Sequence, residues 1–224
     1  MIEFEGVGHS YEQRTVLQDV TLRLGEQRVA FVGANGSGKS TLARAINGLV
    51  RPSRGRVLVD GRDPATDGRA VRRRVGFVFT HPDSQIVMPT AAEDVAFSLR
   101  RKGVPRSERA ALASRLLAEN GLADHEDHPA HQLSGGQKQL LALTAMLALD
   151  PDVLVCDEPT TLLDLRNKRD FAARLARLPQ QVVLVTHDLD LLDDFERVVV
   201  LDEGRVVADG APAEALRTYR ELIG

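Results

Sequence analysis

Hydrophobic and polar positions recur along the chain with two different periods, and these separate predicted strands from predicted helices. Residues 2–7 and 16–24 alternate between apolar and polar, as half-buried strands do. The run from Pro151 to Glu158 is almost continuously apolar until its last two residues, which is typical of a strand buried on both faces of a parallel sheet. Further strands are predicted at residues 28–32, 56–59 with a hairpin turn at Asp60-Gly61, 75–79, 181–185, 198–201 and 205–208.

Helical periodicity accounts for most of the remaining chain. Helices are predicted at residues 40–47, 90–102, 107–120 with Ser107 in the cap, 138–149, 164–178 and 212–222. From about residue 91 to Leu133 the chain is a helical insert. We therefore expect one α/β domain over residues 1–224, with a mostly parallel sheet in a core of residues 1–85 and 149–224. An antiparallel β-flank from 1–27 and 56–61 and an α-helical subdomain near 86–148 complete it.

The stretch from Gly33 to Thr41, GANGSGKST, predicts a phosphate-binding loop. Its glycines let several backbone N–H groups converge on an anion, and no Cβ blocks close approach. Lys39 is placed to reach the β- and γ-phosphates, and Ser40 offers a hydroxyl to Mg²⁺. A buried strand precedes the loop and a helix N-terminus follows it, which is the context that phosphate binding requires. The nucleotide-binding residues predicted here are Gly33, Asn35, Gly36, Ser37, Gly38, Lys39, Ser40 and Thr41.

Two carboxylates and a histidine follow the ends of buried strands. Asp157 and Glu158 end the apolar run from residue 151, and His187 follows the strand at 181–185. Ligands of parallel sheets bind in the crevice at the carboxyl ends of the strands. Asp157 is therefore a candidate for holding the water shell of Mg²⁺, and Glu158 for orienting or deprotonating the attacking water. His187 is a candidate contact to a γ-phosphate.

A second anion-facing helix end is predicted nearly a hundred residues after the first. Ser134, Gly135, Gly136 and Gln137 stand immediately before a helix, so that free N–H groups at its start point outward.

Tyr11 and Gln85 are also candidate functional residues, but the sequence around each of them gives weaker evidence of a role. Tyr11 is expected in the loop between the first two strands, where it is either a platform for an adenine ring or an ordinary surface tyrosine. Gln85 follows the strand at 75–79, which we expect to lie beside the phosphate-loop strand at 28–32. A loop residue explains this glutamine equally well on its own.

His125, His128 and His131 suggest a metal site, but Pro129 interrupts the segment and we interpret it as a solvated connector. We likewise interpret Arg72–Arg74 as a solvated face.

Composition narrows the function classes. The net charge of −3 favours neither nucleic acid nor anionic lipid as a partner of the whole surface. The one cysteine, Cys156, excludes an intrachain disulfide and favours a reducing compartment. No signal peptide is expected, and the longest apolar stretch, residues 140–149, is far shorter than the ~20 residues of a membrane span. Any membrane role is therefore expected to come through a partner.

The set and order of these motifs resembles the ATP-binding-cassette (ABC) ATPase family over essentially the whole chain. The matching residues are Gly33–Ser40 (phosphate loop), Gln85 (Q-loop), Leu133–Gln137 (signature), Val153–Glu158 (Walker B strand and glutamate), Asp164 (D-loop), His187 (switch histidine) and Tyr11 (adenine-stacking aromatic). The resemblance implies a P-loop NTPase core of the RecA-like type. It also implies ATP hydrolysis with Mg²⁺ held by Ser40, Gln85 and Asp157, catalysis by Glu158, His187 and Gln85, and a nucleotide contact by Asp164.

The resemblance further implies a head-to-tail dimer, in which each ATP lies between one phosphate loop and the partner's Ser134, Gly135 and Gly136. Within the family, the short insert and Pro82–Gln85 are similar to energy-coupling-factor (ECF) transporter ATPases, which import vitamins or transition-metal ions through separate membrane subunits. The run Glu158–Asn167 is most similar to the biotin-uptake branch. Leu162 and Leu140 depart from the family pattern, where glycine or alanine and arginine are usual.

These features predict the ATP-binding subunit of an importer, peripheral on the cytoplasmic face of the cell membrane. It would pair with itself or with a paralogous ATPase, contact integral membrane subunits and bind no nucleic acid. The alternatives are a soluble ABC ATPase unconnected to transport and a regulatory ATP-binding module without turnover.

Overall fold

Five parallel strands form the centre of the molecule in the computed structural model, which describes residues 1–224. The strands are β1 (Ile2–Tyr11), β2 (Arg14–Leu24), β3 (Arg28–Val32), β4 (Arg54–Val59), β5 (Val75–Val78), β6 (Val153–Asp157), β7 (Gln181–Val185), β8 (Arg197–Asp202) and β9 (Arg205–Gly210). The α-helices are α1 (Lys39–Ile46), α2 (Gly68–Arg74), α3 (Ala91–Lys102), α4 (Arg106–Glu119), α5 (Gly135–Leu147), α6 (Leu165–Arg177) and α7 (Pro212–Ile223). Short 3₁₀ turns lie at Pro82–Ser84, Ala123–His125, Ala130–Gln132 and Leu189–Leu191.

The central sheet has the strand order β5-β6-β7-β3-β8-β9, in which only β9 is antiparallel to its neighbour. Its parallel strands are apolar on both faces because helices cover both sides. The mostly parallel core is thereby confirmed. The expectation that β5 lies beside β3 is wrong, since β6 and β7 stand between them. An apolar run reveals that a strand is buried but not which strands become its neighbours.

A three-stranded antiparallel sheet, β2-β1-β4, forms the expected flank. Its inner face shares a hydrophobic core with α1 and the central sheet, and the rings of Phe4 and Phe31 meet edge to face with their centroids 6.4 Å apart. Tyr11 is not in a loop as expected but ends β1, paired with Arg14. Asp60-Gly61 makes a tight turn after β4, but no strand follows it because β4 pairs with β1 instead.

Helices α3, α4 and α5 pack around a separate hydrophobic cluster. Thr90 caps α3 with a reciprocal bond to Glu93, and α3 ends at Gly103 in the left-handed conformation. The cap predicted at Ser107 is wrong, because α4 begins one residue earlier, after Pro105, and no side chain caps it. The division into a core of residues 1–85 and 149–224 and a helical subdomain near 86–148 stays a prediction.

Helix α2 was not predicted from the sequence. It buries only Val71, so the seven residues carry no helical apolar stripe that a pattern could reveal. Arg72 and Arg73 are exposed as expected, whereas Arg74 forms ion pairs with Asp60 and Asp152. None of the helices in the chain combines the length and the hydropathy needed to cross a bilayer.

Candidate nucleotide site

A cleft of about 510 Å³ opens beside the phosphate loop, at the carboxyl ends of β3, β6 and β7. Nine predicted site residues line it: Tyr11, Asn35, Gly36, Gly38, Lys39, Ser40, Thr41, Glu158 and His187. Four residues that the sequence reasoning did not select line it too: Arg14, Val16, Thr80 and Thr161. The topology thus brings together residues that are far apart in the chain.

The loop backbone takes a path that its glycines make possible. Gly38 precedes α1 with φ 103°, and a Cβ there would lie 2.7 Å from the carbonyl oxygen of Val16. Gly33 has φ 152°, and its Cβ would lie 2.1 Å from the carbonyl oxygen of Leu201. No side chain caps α1, so the first N–H groups of the helix are left for an anion in the cleft. Ser37 is buried behind the loop, and its Oγ has no hydrogen-bond partner.

Lys39 is folded back over the loop. Its Nζ donates to the carbonyl oxygens of Gly33 at 2.8 Å and Ala34 at 2.9 Å. Burial lowers the pKa of Lys39, and the charges of Glu158 and Asp157 oppose that shift. An ammonium group has three N–H donors, so one remains for a phosphate oxygen.

Asp157 lies fully buried beneath the loop and is held by two partners. Ser40 Oγ donates to Asp157 Oδ1 at 2.6 Å, and Arg44 Nη2 donates to Oδ2 at 2.9 Å. The hydroxyl and the carboxylate are the oxygen donors that Mg²⁺ prefers, so this pair fits the predicted magnesium position. Arg44 was missed by sequence reasoning. Its signal is the spacing of four residues from Ser40, which places both side chains on one face of α1.

Glu158 and His187 form a hydrogen-bonded pair at the opposite wall. His187 Nδ1 donates to Glu158 Oε2 at 2.6 Å, and Thr161 Oγ1 donates to the same oxygen at 3.2 Å. Oε1 of Glu158 and Nε2 of His187 have no protein partner. Glu158 has φ 51°, a conformation that costs a non-glycine residue on the order of 1 kcal/mol or more and that is concentrated at functional sites.

Tyr11 stands at the open end of the cleft with 48% of its surface exposed. The rings of His9 and Tyr11 are nearly perpendicular, at 83°, with their centroids 4.5 Å apart, so His9 restricts the orientation of the tyrosine ring. Arg14 reaches from β2 toward the loop, where a Cβ on Gly36 would lie 3.3 Å from its guanidinium group.

Gln85 does not reach the cleft. Its Oε1 accepts from the backbone N–H of Phe79 at 3.2 Å, and its Nε2 donates to the carbonyl oxygen of Ala142 on α5 at 3.5 Å. The side chain therefore joins the end of β5 to the helical subdomain. The strand that precedes Gln85, β5, is at the sheet edge and not beside β3 as expected, and the assignment of Gln85 to the site stays a prediction.

The second helix end forms a separate surface. Ser134 caps α5 by accepting from Gln137 N–H, and the Gln137 side chain accepts from Ser134 N–H. None of Ser134, Gly135, Gly136 and Gln137 lines the cleft of their own chain. Asp164 is the N-cap of α6, where its Oδ1 accepts from Asn167 N–H at 2.9 Å.

The starts of α5 and α6 are neighbours, since a Cβ on Gly136 would lie 3.0 Å from the Asn167 side chain. His125 is half-buried, and its Nε2 lies 2.7 Å from Nε2 of Gln137. This histidine therefore supports the helix end, so a solvated connector is an incomplete description of its segment.

The sequence of this chain is similar to those of transport ATPases. The chain matches the ABC transporter family over residues 17–161. An ABC transporter ATP-binding protein of Deinococcus radiodurans is 53% identical, and the match covers 100% of this chain and 99% of that protein. The biotin transport ATP-binding protein BioM of Rhizobium etli is 45% identical, with 99% and 98% covered. The energy-coupling factor transporter ATP-binding protein EcfA1 of Symbiobacterium thermophilum is 44% identical, with 88% and 70% covered.

Solved structures have the same fold. CbiO1 of Clostridium perfringens, described as part of the ABC transporter complex CbiONQ, superposes with a TM-score of 0.84 at 30% identity and covers 99% of this chain and 92% of its own. A dimeric ATP-binding cassette in a post-hydrolysis state, bound to ADP and phosphate, superposes with a TM-score of 0.82 at 29% identity, covering 95% and 99%.

Proposed function

This chain belongs to the ABC transporter family of ATPases, and from that premise we propose that it drives a membrane importer for a vitamin, with biotin as the first candidate. The observation that carries the proposal is the 45% identity to BioM over nearly the full length of both proteins. A second BioM, from Rhodobacter capsulatus, is 46% identical over 95% of this chain. A transition-metal ion is the second candidate solute, because ECF-type importers carry both classes.

The proposed hydrolysis uses the cleft residues in distinct roles. Lys39 presents its third N–H to the β- and γ-phosphates of ATP, while the uncapped start of α1 surrounds them with backbone donors. Ser40 and Asp157 would hold Mg²⁺, which when bound supplies positive charge to the phosphate oxygens. Tyr11, which is 48% exposed, stacks on the adenine ring.

The catalytic step is assigned to the pair at the opposite wall. Glu158 accepts a hydrogen bond from the attacking water at Oε1, since its Oε2 is occupied by His187 and Thr161. His187 keeps its proton on Nδ1, which leaves Nε2 for a contact near the γ-phosphate. Gln85 reaches the cleft and its Mg²⁺ only after it releases Phe79 and Ala142, so its catalytic and metal roles require a movement of the helical subdomain.

Two chains are needed for a complete site in this proposal. ATP-binding cassettes of the family form dimers. The start of α5 carries exposed Ser134 and Gly135, and the N–H groups of Gly135 and Gly136 are not used in the cap that Ser134 and Gln137 form. None of these residues lines the cleft of its own chain. In a head-to-tail pair it would meet the γ-phosphate bound by the partner, with Gly136, Gln137 and Asp164 beside it. The pair forms either from two copies of this chain or with a paralogous ATPase.

An apolar groove is the proposed contact for the membrane subunits, which would hold this ATPase peripherally at the cytoplasmic face of the cell membrane. It has a volume of about 300 Å³ and lies where α3 and α5 meet the end of β5. Its apolar lining includes Leu49, Phe79, Val87, Phe97, Met146 and Leu149. Val87 is 63% exposed and Leu49 is 49% exposed, so a partner would bury apolar surface there. Gln85 also lines the groove, which connects it to the movement required above.

The test is uptake of labelled biotin by cells whose own copy of the protein is replaced by wild type or by Glu158→Gln. Uptake is expected with wild type and lost with the variant, and integral membrane proteins are expected to co-purify with both from detergent-solubilised membranes. Unchanged biotin uptake with Glu158→Gln, together with loss of another solute's uptake, would transfer the assignment to that solute. A purification that recovers no integral membrane protein would contradict the importer role itself.

A further inference from the structure

Two helices that are separated in the sequence place five cationic side chains around one surface cavity. The cavity has a volume of about 680 Å³, and Leu149 is its one apolar lining residue. The cationic residues, named here the basic patch, are Arg69, Arg72 and Arg73 on α2 and Arg101 and Lys102 on α3.

The basic patch carries charge that the chain itself does not neutralise. On α2, the neighbouring Arg74 is paired with Asp60 and Asp152, and on α3, Lys102 is paired with Asp150 at 3.0 Å. The remaining four arginines of the patch are exposed and form no ion pair. The overall composition does not explain why these arginines cluster, because the chain as a whole has a net charge of −3. A local field of this kind attracts a polyanion.

The position of the basic patch indicates which polyanion is within reach. Arg72, Arg101 and Leu149 line both the patch and the apolar groove, so the two surfaces are continuous. The proposed function assigns the groove to the membrane subunits, and the orientation of the basic patch relative to the membrane rests on that assignment. A groove that receives a membrane subunit turns the adjoining patch toward the surface of the same bilayer.

We propose that the basic patch binds the headgroups of anionic phospholipids beside the transport subunits. A cluster of four or more arginines and lysines is the size that binds anionic leaflets, and each charge adds to the attraction. The planar guanidinium groups match the paired oxygens of a phosphodiester. No carboxylate lines the cavity. This favours a surface that carries many phosphate groups over a protein partner whose contact surface carries charges of both signs.

The experiment compares two variants of the full chain with the same change in charge. In the patch variant, Arg69, Arg72, Arg73 and Arg101 are each replaced by Gln. In the control variant, four exposed arginines of α6 and α7 are replaced by Gln: Arg169, Arg177, Arg217 and Arg220. These helices pack on the other face of the central sheet, since Phe171 and Leu216 share a core cluster with Ala30 while Val71 of α2 shares one with Val29.

The measurement is co-sedimentation with vesicles of phosphatidylcholine, with and without phosphatidylglycerol. Wild type and the control variant are expected to bind the anionic vesicles at low salt. The patch variant is expected to bind them about 10²–10³-fold more weakly, because four charges that each favour the anionic surface are lost. Binding is expected to disappear at about 1 M salt, where the Debye length falls to about 3 Å. Equal thermal unfolding of the two variants shows that both are folded.

Equal vesicle binding by the patch and control variants would overturn the proposal, as would the absence of wild-type binding to anionic vesicles. If the patch variant instead loses only its co-purification with integral membrane proteins, the patch binds an acidic protein segment and the lipid proposal is wrong. Failure of the proposed function gives a different result. In that case the chain binds anionic vesicles through the patch, but no membrane subunit co-purifies with it.

Discussion

Arg44 Nη2 lies 2.9 Å from Oδ2 of Asp157, and this pair locks the buried carboxylate in the orientation in which its other oxygen accepts from Ser40. Asp157 is fully buried, whereas the Arg44 side chain is 41% exposed, so the arginine neutralises the carboxylate from the edge of the site. Arg44 does not line the cleft. Arg44 is therefore a positioning residue for the two groups that would hold Mg²⁺.

Replacing Arg44 by Gln is expected to raise the Mg²⁺ concentration needed for half-maximal ATP hydrolysis by about 10-fold or more, the usual effect of losing a group that orients a metal ligand. Binding of ATP without Mg²⁺ is expected to stay unchanged, which separates positioning of the ligands from general damage. Arg44→Lys keeps the charge and is expected to recover part of the effect. An unchanged Mg²⁺ requirement in the Gln variant would remove this role.

Replacing Glu158 by Gln is expected to leave ATP binding nearly intact and to slow turnover by roughly 10²–10⁴-fold, since the amide cannot take up a proton from water. ATP that is not hydrolysed should keep two chains together, so an ATP-bound dimer is expected in size-exclusion chromatography. Thr161→Val, which removes only the hydroxyl that contacts the same oxygen at 3.2 Å, is the milder control. Near-normal hydrolysis by Glu158→Gln in partner-bound protein would contradict the assignment.

Mixing Ser134→Arg with Lys39→Ala tests whether two chains share each site. Lys39→Ala is expected to weaken Mg·ATP binding, because Lys39 is the only ammonium at the loop. Ser134→Arg is expected to bind ATP but to block closure of the dimer. A mixed dimer has one site with both lesions and one with neither, so part of the ATPase activity is expected to return. Full hydrolysis by a Ser134→Arg monomer would show that the start of α5 is purely structural.

Leu162 is expected to strengthen the dimer. It is 56% exposed, and its carbonyl oxygen lies 3.6 Å from the position of a Cβ on Gly135, so it stands beside the helix end assigned to the partner's ATP. Burying a leucine contributes about 1.5–3 kcal/mol, so Leu162→Ala should weaken ATP-dependent dimerisation at least 10-fold. Sedimentation velocity in the Glu158→Gln background measures this. Leu222→Ala, which truncates a leucine 50% exposed on α7, is the matched control and should have no effect.

Asp94 gives a pH dependence of stability with a defined sign. Its Oδ1 accepts from the N–H groups of Val87 and Met88, yet burial raises its pKa above the ordinary value of 3.8. As pH rises from 3.8 toward the folded-state pKa, the unfolded chain loses its proton while the folded chain keeps it. The stabilising contribution of Asp94 is therefore lost as pH rises through the folded-state pKa.

The measurement is the difference in free energy of unfolding between wild type and Asp94→Asn across this pH range. The variant retains an acceptor oxygen and cannot ionise, so wild type is expected to lose stability relative to it as pH rises. Asp150→Asn, which changes an exposed carboxylate, should show no such relative decrease. A difference that grows in favour of wild type with rising pH would mean that the two backbone bonds outweigh burial.

The residues predicted to carry the chemistry of this protein lie in short contiguous segments of the sequence, and these segments could be identified from the sequence alone. The phosphate loop needs its glycines, lysine and serine at fixed spacing, because backbone N–H groups of one turn must converge on one phosphate. The parallel core was predictable because helices cover both faces of its strands and select continuous apolar runs such as Val153–Cys156. The starts of the helices at Thr90 and Asp164 were also predicted, and each of these residues caps its helix through a partner three residues away, whereas the cap predicted at Ser107 is wrong.

Tertiary structure decided everything that depends on which distant segments meet. The strand order places β5 at the sheet edge, where Gln85 contacts α5. The sequence could not predict this, because an apolar pattern indicates that a strand is buried but not which strands are its neighbours. The Arg44 contact to Asp157 and the meeting of α2 with α3 at the basic patch join residues without a common periodicity. Such contacts depend on how crossover helices pack onto both faces of the sheet, and that packing is a property of the whole chain.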